Sequence, residues 1–344
     1  MSSCSVYLSC SEPSQAAPLL ESKGELCNNT EELRFRRVYY HHQWDLNIKE
    51  AMLAVDMNKQ QLFRIYSNGQ LEELRCEKKK SSTVKKASRI SHNFEGFLTI
   101  SSFLQLNRSY ILVADSGARC IKYDRPKVCG TFAGTCDHFS LKGIGHTKCG
   151  RLELAQFAQP RAMVISPLTE RYIYLADKYT MLLLDLSVRN VTIVIEASQL
   201  SHKEVTYMAA YQDKLLLSTT GPGVIEFDCR TMLITRAVEF RNSLRKHSSI
   251  GNYPIGGSLI PLTNNIMLLS ITDDVIFREI QTCVLDLRTQ ASEQLVFEQQ
   301  KQQIIDRTIY SVFLSSKSSG LITITDNHSL LCPSIQLYQI NGKL

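Results

Sequence analysis

This sequence of 344 residues lacks any apolar run of the length that spans a bilayer, about 18 residues. Its longest apolar stretches, such as 181–186, have the length of one strand. No segment keeps a period of 3.6 residues, so the sequence predicts an all-β protein. The N-terminus lacks the basic and apolar regions of a signal peptide. We interpret residues 1–30 as a disordered lead-in to a single domain over 31–344.

Motifs for enzyme chemistry are also absent. No two cysteines have Cys-x-x-Cys spacing, which removes the common zinc-ribbon and thioredoxin-like motifs. The eight histidines show no metal-ligand spacing, and no Gly-x-Ser-x-Gly elbow occurs. The glycine-rich stretch at 143–150 does not lead from a strand into a helix, so it is no phosphate loop. The sequence therefore predicts no cofactor, no metal and no catalytic residue.

Positive charge is concentrated in one segment of a chain whose net charge is only +6. A solvated loop between two strands would have this composition, and so would a contact for an anion, a nucleic acid or another partner. No aromatic residue lies among the cations to stack on bases. The segment contains Lys78, Lys79, Lys80, Lys85, Lys86 and Arg89.

Cysteines are numerous for a cytosolic chain: there are 11, an odd number. Cys136 and Cys149 flank a polar, glycine-rich loop with little core of its own. A disulfide between them would stabilise the loop by about 3 kcal/mol on the chain-entropy model, and we predict this pair. Asn-x-Ser/Thr sequons, which slightly favour secretion, occur at Asn28, Asn107, Asn190 and Asn327.

A short phrase recurs along the chain: an apolar run, a polar residue, a turn and a second apolar run. The clearest copies are YILVAD ending at Asp115 and YIYLAD ending at Asp177. A period of about 40–60 residues built from strand pairs is typical of a β-propeller. We therefore predict six blades of four antiparallel strands. The polar residues that end the first run, called the anchor residues, are Asp56, Asp115, Asp177, Thr219, Thr272 and Asp326.

The anchor residues have a structural interpretation. A carboxylate at the end of a strand can accept hydrogen bonds from backbone N–H groups of the following turn. Threonine can make the same kind of bond more weakly. We predict this structural role for Asp56, Asp115, Asp177 and Asp326 because a catalytic acid would not be copied into several blades. For the ends of the chain, we expect 33–38 to supply the outer strand of blade six.

The stretch around the two best copies resembles the NHL-repeat family of β-propellers, in particular its extracellular invertebrate members. The resemblance rests on Ala155, Phe157 and Pro160 at the start of a repeat, and on the strand-turn-strand segments 111–121 and 173–183. It covers roughly residues 105–190. The Asn that the family carries after the turn is absent from both copies.

Three functions are compatible with this fold. The favoured one is a non-enzymatic scaffold that presents loops to a protein or glycan partner, within an extracellular or cell-surface protein. The alternative is a cytoplasmic NHL-type module that binds RNA or protein, for which RNA binding would weaken steeply with salt. A metal-dependent propeller lyase or hydrolase is the third and needs ligands converging at a central channel.

Overall fold

The computed structural model describes residues 7–8, 35–39, 51–56, 61–66, 71–74, 97–107, 110–125, 128–136, 146–221, 223–240, 254–261, 265–273, 279–294, 296–297, 307–314, 320–327 and 330–339. Every regular element in these ranges is a strand, which confirms the all-β prediction for this part of the chain. No helix capable of crossing a membrane occurs among them. Of the predicted lead-in, only the short strand β1 (Tyr7–Leu8) lies within the described residues.

The strands form sheets of chain neighbours. The first sheet contains β2 (Phe35–Tyr39), β3 (Ala51–Asp56), β4 (Gln61–Tyr66) and β5 (Leu71–Leu74). The second contains β6 (Ile100–Asn107), β7 (Tyr110–Asp115), β8 (Cys120–Arg125) and β9 (Val128–Ala133). The third contains β10 (Gly150–Arg151), β11 (Pro160–Ile165), β12 (Tyr172–Asp177), β13 (Thr180–Asp185) and β14 (Asn190–Ile195).

Three further sheets and one strand pair complete the described elements. The fourth sheet contains β15 (Val205–Tyr211), β16 (Lys214–Thr219), β17 (Gly223–Asp228) and β18 (Leu233–Glu239). The fifth contains β19 (Pro254–Pro261), β20 (Ile266–Asp273), β21 (Glu279–Asp286) and β22 (Ala291–Gln294). The sixth contains β24 (Arg307–Leu314), β25 (Gly320–Asn327) and β26 (Leu330–Gln339). Strand β1 pairs in parallel with β23 (Val296–Phe297).

The chain divides into two compact units. One comprises residues 1–56, 63–72 and 205–344, and the other comprises 57–62 and 73–204. The second and third sheets lie in the latter, and the fourth to sixth sheets lie in the former. The single domain that the sequence predicts over 31–344 stays a prediction.

The anchor residues lie at or next to the end of a strand in all six sheets, opposite the first or second residue of the antiparallel partner strand. Asp115 pairs with Ile100, and Asp177 pairs with Pro160. A bulge follows in the partner strand, directly after the anchor pair in the first to fourth sheets and one pair later in the fifth and sixth, and it turns that strand more sharply. The sequence pattern did not indicate this bulge. The register shifts lie between Phe35/Arg37, Ile100/Ser102, Pro160/Ala162, Val205/Tyr207, Gly256/Leu259 and Ile309/Ser311.

The predicted exchange between the ends of the chain is wrong. Strand β2, which overlaps the segment 33–38, pairs with β3 and belongs to the first sheet. Phe35 faces the anchor residue Asp56, so β2 takes the place of the inner strand of that sheet. A connection between chain neighbours closes a shorter loop than a pairing with the distant C-terminal strands, and therefore costs less chain entropy.

The second and third sheets share one apolar core. The strands that end in Asp115 and Asp177 have five consecutive buried residues each, because both of their faces are covered. Phe157 packs into this core, and its ring would lie 3.0 Å from a Cβ added at Gly134. Gly134 also has φ +89°, so no other residue suits it. Further members are Leu112, Ile121, Leu152, Ala155, Ile173, Leu175, Leu182 and Val191.

The predicted disulfide between Cys136 and Cys149 is a further correction. Cys136 is bonded to Cys120, and Cys149 has a free thiol. Cys120 begins β8, and Cys136 follows the neighbouring strand β9, so the strand pairing itself brings them to a Cα–Cα distance of 4.9 Å. Burial raises the pKa of the Cys149 thiol, which reduces its reactivity.

Peptide mapping without reduction tests this pairing. We expect a cross-linked peptide pair that joins Cys120 to Cys136, while Cys149 is alkylated once the protein is denatured. Cys120→Ser is expected to lower the free energy of unfolding by about 3 kcal/mol, because the broken bond closes a loop of intermediate length. Cys149→Ser serves as the matched control. A peptide pair joining Cys136 to Cys149 would contradict this assignment.

Candidate interaction face

The Asp115 carboxylate is fully buried and closes one end of the second sheet. It accepts hydrogen bonds from the backbone N–H groups of Leu98 (2.9 Å), Thr99 (2.9 Å) and Ala118 (3.0 Å). The ammonium of Lys122 donates to it at 2.6 Å. The carboxylate therefore holds together the segment before β6, the turn after β7 and the strand β8.

Asp177 makes a related but different set of contacts in the third sheet. It accepts from the N–H groups of Ala158 (2.9 Å) and Gln159 (2.6 Å) and from the hydroxyl of Thr147 (2.5 Å). Among the described residues Asp177 forms no ion pair, and Leu182 occupies the position that corresponds to Lys122. Burial raises the pKa of Asp177, although these hydrogen bonds lower it in part.

The donors differ from the sequence prediction in their position. The following turn supplies only the N–H of Ala118, whereas the other backbone donors precede the partner strand. In the fourth sheet the hydroxyl of Thr219 is 3.5 Å from the carbonyl of Gly223, a much weaker contact. The side chains of Asp56 and Asp326 lie outside the described part of the structure.

A second set of aspartates, which the sequence analysis missed, closes the opposite ends of three sheets. Asp228 accepts from the N–H groups of Arg230 (2.8 Å) and Thr231 (2.9 Å), and these bonds lower the pKa of Asp228. Each such turn ends in a residue with φ between 54° and 59°. The sequence pattern that indicates these turns is an Asp followed three residues later by Thr or Val. The corresponding residues are Asp185 with Arg189, Asp228 with Met232 and Asp286 with Gln290.

The end of each sheet that holds its anchor residue is called the anchor end. The connections at this end differ in length between sheets, whereas the anchor residue keeps its place at or next to the end of a strand. The turn after the anchor strand spans 116–119 in the second sheet and 178–179 in the third. The connection that leads to the third sheet is longer, from 134 to 159, and contributes β10 to the outer edge of that sheet.

The anchor end of the third sheet carries a group of contacting side chains, called the Lys178 cluster: Lys178, Tyr179 and His202. The Lys178 ammonium lies 4.9 Å from the centroid of the Tyr179 ring. That ring meets His202 edge to face at 6.4 Å between centroids. Lys178 and His202 adopt φ values of +53° and +56°, which cost about 1–2 kcal/mol each for residues with a Cβ.

The buried acids of the described residues are occupied by structural bonds. Glu226 accepts from Lys214 (2.7 Å) and from the hydroxyl of Thr235 (2.6 Å). Burial alone would raise the pKa of Glu226, but these bonds hold it below its ordinary value. Within the described ranges no three His, Cys, Asp or Glu residues come together in a group that could hold a metal. The basic segment from Lys78 to Arg89 lies outside those ranges.

Comparisons with known proteins bear on the fold. No family model matches this chain, and no curated protein matches it. The Pan2 WD40 domain of Neurospora crassa superposes with a TM-score of 0.51 at 11% identity, over 90% of that chain and 91% of this one. The extracellular domain of BT4673 from B. thetaiotaomicron gives 0.50 at 12% identity over 90% of this chain. This chain spans only about a third of that domain, 34%.

At such identities the likeness shows the fold alone, an all-β architecture of the propeller kind with antiparallel four-stranded sheets. Membership of the NHL family stays a prediction, and what the likeness shows is a β-propeller-like fold.

Proposed function

We propose that residues 31–344 form one six-bladed propeller that binds a protein partner through the loops of its anchor ends, without catalysing a reaction. The observation that supports this proposal is the contrast between frame and loops. In all six sheets the anchor residue lies opposite the first or second residue of the partner strand, while the turns after Asp115 and Asp177 differ in length. A rigid scaffold with variable loops at one end is the usual arrangement of a binding module.

The proposal includes an extracellular or cell-surface location. The disulfide between Cys120 and Cys136 supports it, because disulfides persist in oxidising compartments and are rare in the cytosol. Cys129 is also disulfide-bonded. A glycan is a less favoured occupant than a protein.

Site-specific photo-cross-linking tests the proposal. Benzoyl-phenylalanine replaces Ser198, an exposed residue in the connection at the anchor end of the third sheet. The matched control places it at Val188, which is 69% exposed in the turn at the opposite end of the same sheet. Both proteins are applied to intact cells of the source organism, and adducts are identified by mass spectrometry.

We expect one protein to dominate the adducts at Ser198 and to be several-fold depleted at Val188. Equal yields at the two positions, or adducts confined to Val188, would contradict binding through the anchor end. Adducts with RNA at Ser198 would replace the protein-binding proposal with the RNA-binding alternative.

A further inference from the structure

The Lys178 cluster is held in place from three sides. The backbone N–H of Lys178 donates to the carbonyl of Gln159 at 3.0 Å, and that of His202 donates to Ala197 at 2.9 Å. Next to His202, Glu204 accepts from the Arg161 guanidinium at 2.9 Å, which fixes the connection 196–204 to the start of β11. The backbone of the cluster is therefore preorganised and loses little freedom on binding.

The surface charge at this end is positive. Asp177, which precedes Lys178, is buried and accepts bonds from neutral groups. Within the part of the chain that the structure describes, neither Lys178 nor His202 forms an ion pair. The exposed acid of this connection, Glu196, is a single charge, with its N–H bonded to the side chain of Gln199.

A further cation lies at the same end of the neighbouring sheet. The hydroxyl of Ser101 donates to the carbonyl of Pro160 at 2.6 Å, so the starts of β6 and β11 are adjacent. The turn 116–119 of the second sheet therefore lies at the same end as the turn 178–179 of the third. It ends in Arg119, which also has a positive φ of 54° and forms no ion pair within the described residues.

We propose that the Lys178 cluster binds an acidic peptide segment of the protein partner. This inference rests on the proposed function and assigns a chemistry to one part of the anchor end. Carboxylates of the segment contact Lys178 and Arg119, and the imidazole of His202 supplies an N–H donor. An apolar side chain of the segment packs on the Tyr179 ring. The strained φ of Lys178 places a cation where glycine would suit the backbone better.

Fluorescence anisotropy with two synthetic peptides tests the inference. The first peptide alternates Glu with Leu, and the second has Gln in place of each Glu. Purified full-length protein is titrated into each, at low and at physiological salt. We expect the Glu peptide to bind about tenfold more tightly than the Gln peptide, and to weaken as salt rises.

The informative variant is Lys178→Gly. Glycine adopts a φ of +53° without strain, so this variant is expected to unfold at the same temperature as wild type or higher. Its affinity for the Glu peptide is expected to fall about fivefold, and Lys178→Arg is expected to retain binding. Arg171→Gln, an exposed cation at the opposite end of the same sheet, serves as the control and should leave affinity unchanged.

Equal affinities for the two peptides, or unchanged binding by Lys178→Gly, would overturn the inference. Preferential binding of a single-stranded RNA oligomer that is lost in Lys178→Gly would overturn it in favour of a nucleic-acid ligand. The proposed function is tested separately by the adducts at Ser198. If those adducts identify a partner that Lys178→Gly still binds, the function stands and the acidic-peptide site fails.

Discussion

Asp115→Ala is expected to lower the free energy of unfolding by about 3–5 kcal/mol, the cost of removing one partner from a buried ion pair. The substitution removes the carboxylate that accepts from Lys122 at 2.6 Å, and the Lys122 side chain is only 13% exposed. It also removes the acceptor for the N–H groups of Leu98, Thr99 and Ala118. A buried N–H without an acceptor costs about 1–3 kcal/mol, so the two effects together place this variant among the most damaging ones.

Urea-induced unfolding measures this loss, and an unchanged m-value would show that the unfolded state is not altered. Asp185→Ala is the matched control: it removes a carboxylate that caps a turn at the opposite end of a neighbouring sheet, but one that is exposed to solvent. We expect a much smaller effect there. A loss of less than about 1 kcal/mol for Asp115→Ala would show that Asp115 is not the bond centre described above.

The double variant Asp115→Ala/Lys122→Met separates the ion pair from the backbone bonds. Because methionine leaves no buried charge behind, the double variant is expected to be more stable than Asp115→Ala alone. The remaining loss of unfolding free energy relative to wild type is then due to the three backbone N–H groups that lack an acceptor. If the double variant is no more stable than Asp115→Ala, Lys122 contributes nothing through its charge.

Local patterns in the sequence predict the strands well because side-chain alternation and turn residues depend on nearby positions only. The segment YILVAD is predicted as a strand ending at Asp115, and β7 has these bounds. All six anchor residues fall within the last two residues of a strand. The turns at Asp185, Asp228 and Asp286 are equally local, and comparing the residues after each third strand would have found them.

Pairings over long sequence distances could not be predicted in the same way. The sequence offers Cys136 several partners, and the choice of Cys120 follows from the register of β8 and β9. The hydroxyl donor of Asp177 comes from Thr147, 30 residues earlier in a loop without a pattern of its own. Neither residue type nor spacing distinguishes such a donor from its neighbours. The sequence did not predict the Lys178 cluster for the same reason, because Lys178 and His202 are distant in sequence and both contact Tyr179.

Asp177→Asn is expected to lower the free energy of unfolding by about 1–3 kcal/mol. This loss is expected to become smaller as the pH rises, whereas the loss from replacing a carboxylate with a lowered pKa becomes larger. The amide keeps one acceptor oxygen but turns an N–H₂ group toward a donor, either Gln159 or the pair Ala158 and Thr147. Because Asp177 lacks a cation like Lys122, burial raises its pKa above the ordinary 3.8. The unfolded chain therefore releases this proton at a lower pH than the folded protein does.

The sign of the pH effect follows from this difference. Below the unfolded pKa of 3.8, Asp177 is protonated in both states and its ionisation does not affect stability. As the pH rises through the folded pKa, ionisation favours the unfolded state, and a pKa raised by one unit corresponds to about 1.4 kcal/mol. The difference in unfolding free energy between wild type and Asp177→Asn should therefore narrow as the pH rises above about 4 and become constant above the folded pKa.

Urea unfolding of both proteins at several pH values measures this difference directly, and other carboxylates cancel because both proteins contain them. Asp228→Asn is the control with the opposite sign: its backbone hydrogen bonds lower the pKa of Asp228, so its difference from wild type should widen as the pH rises toward the unfolded value of 3.8 and stay constant at higher pH. A difference for Asp177→Asn that also widens with pH would show that its hydrogen bonds outweigh burial. The loop containing Thr147 would then be held more firmly at neutral pH than in acid.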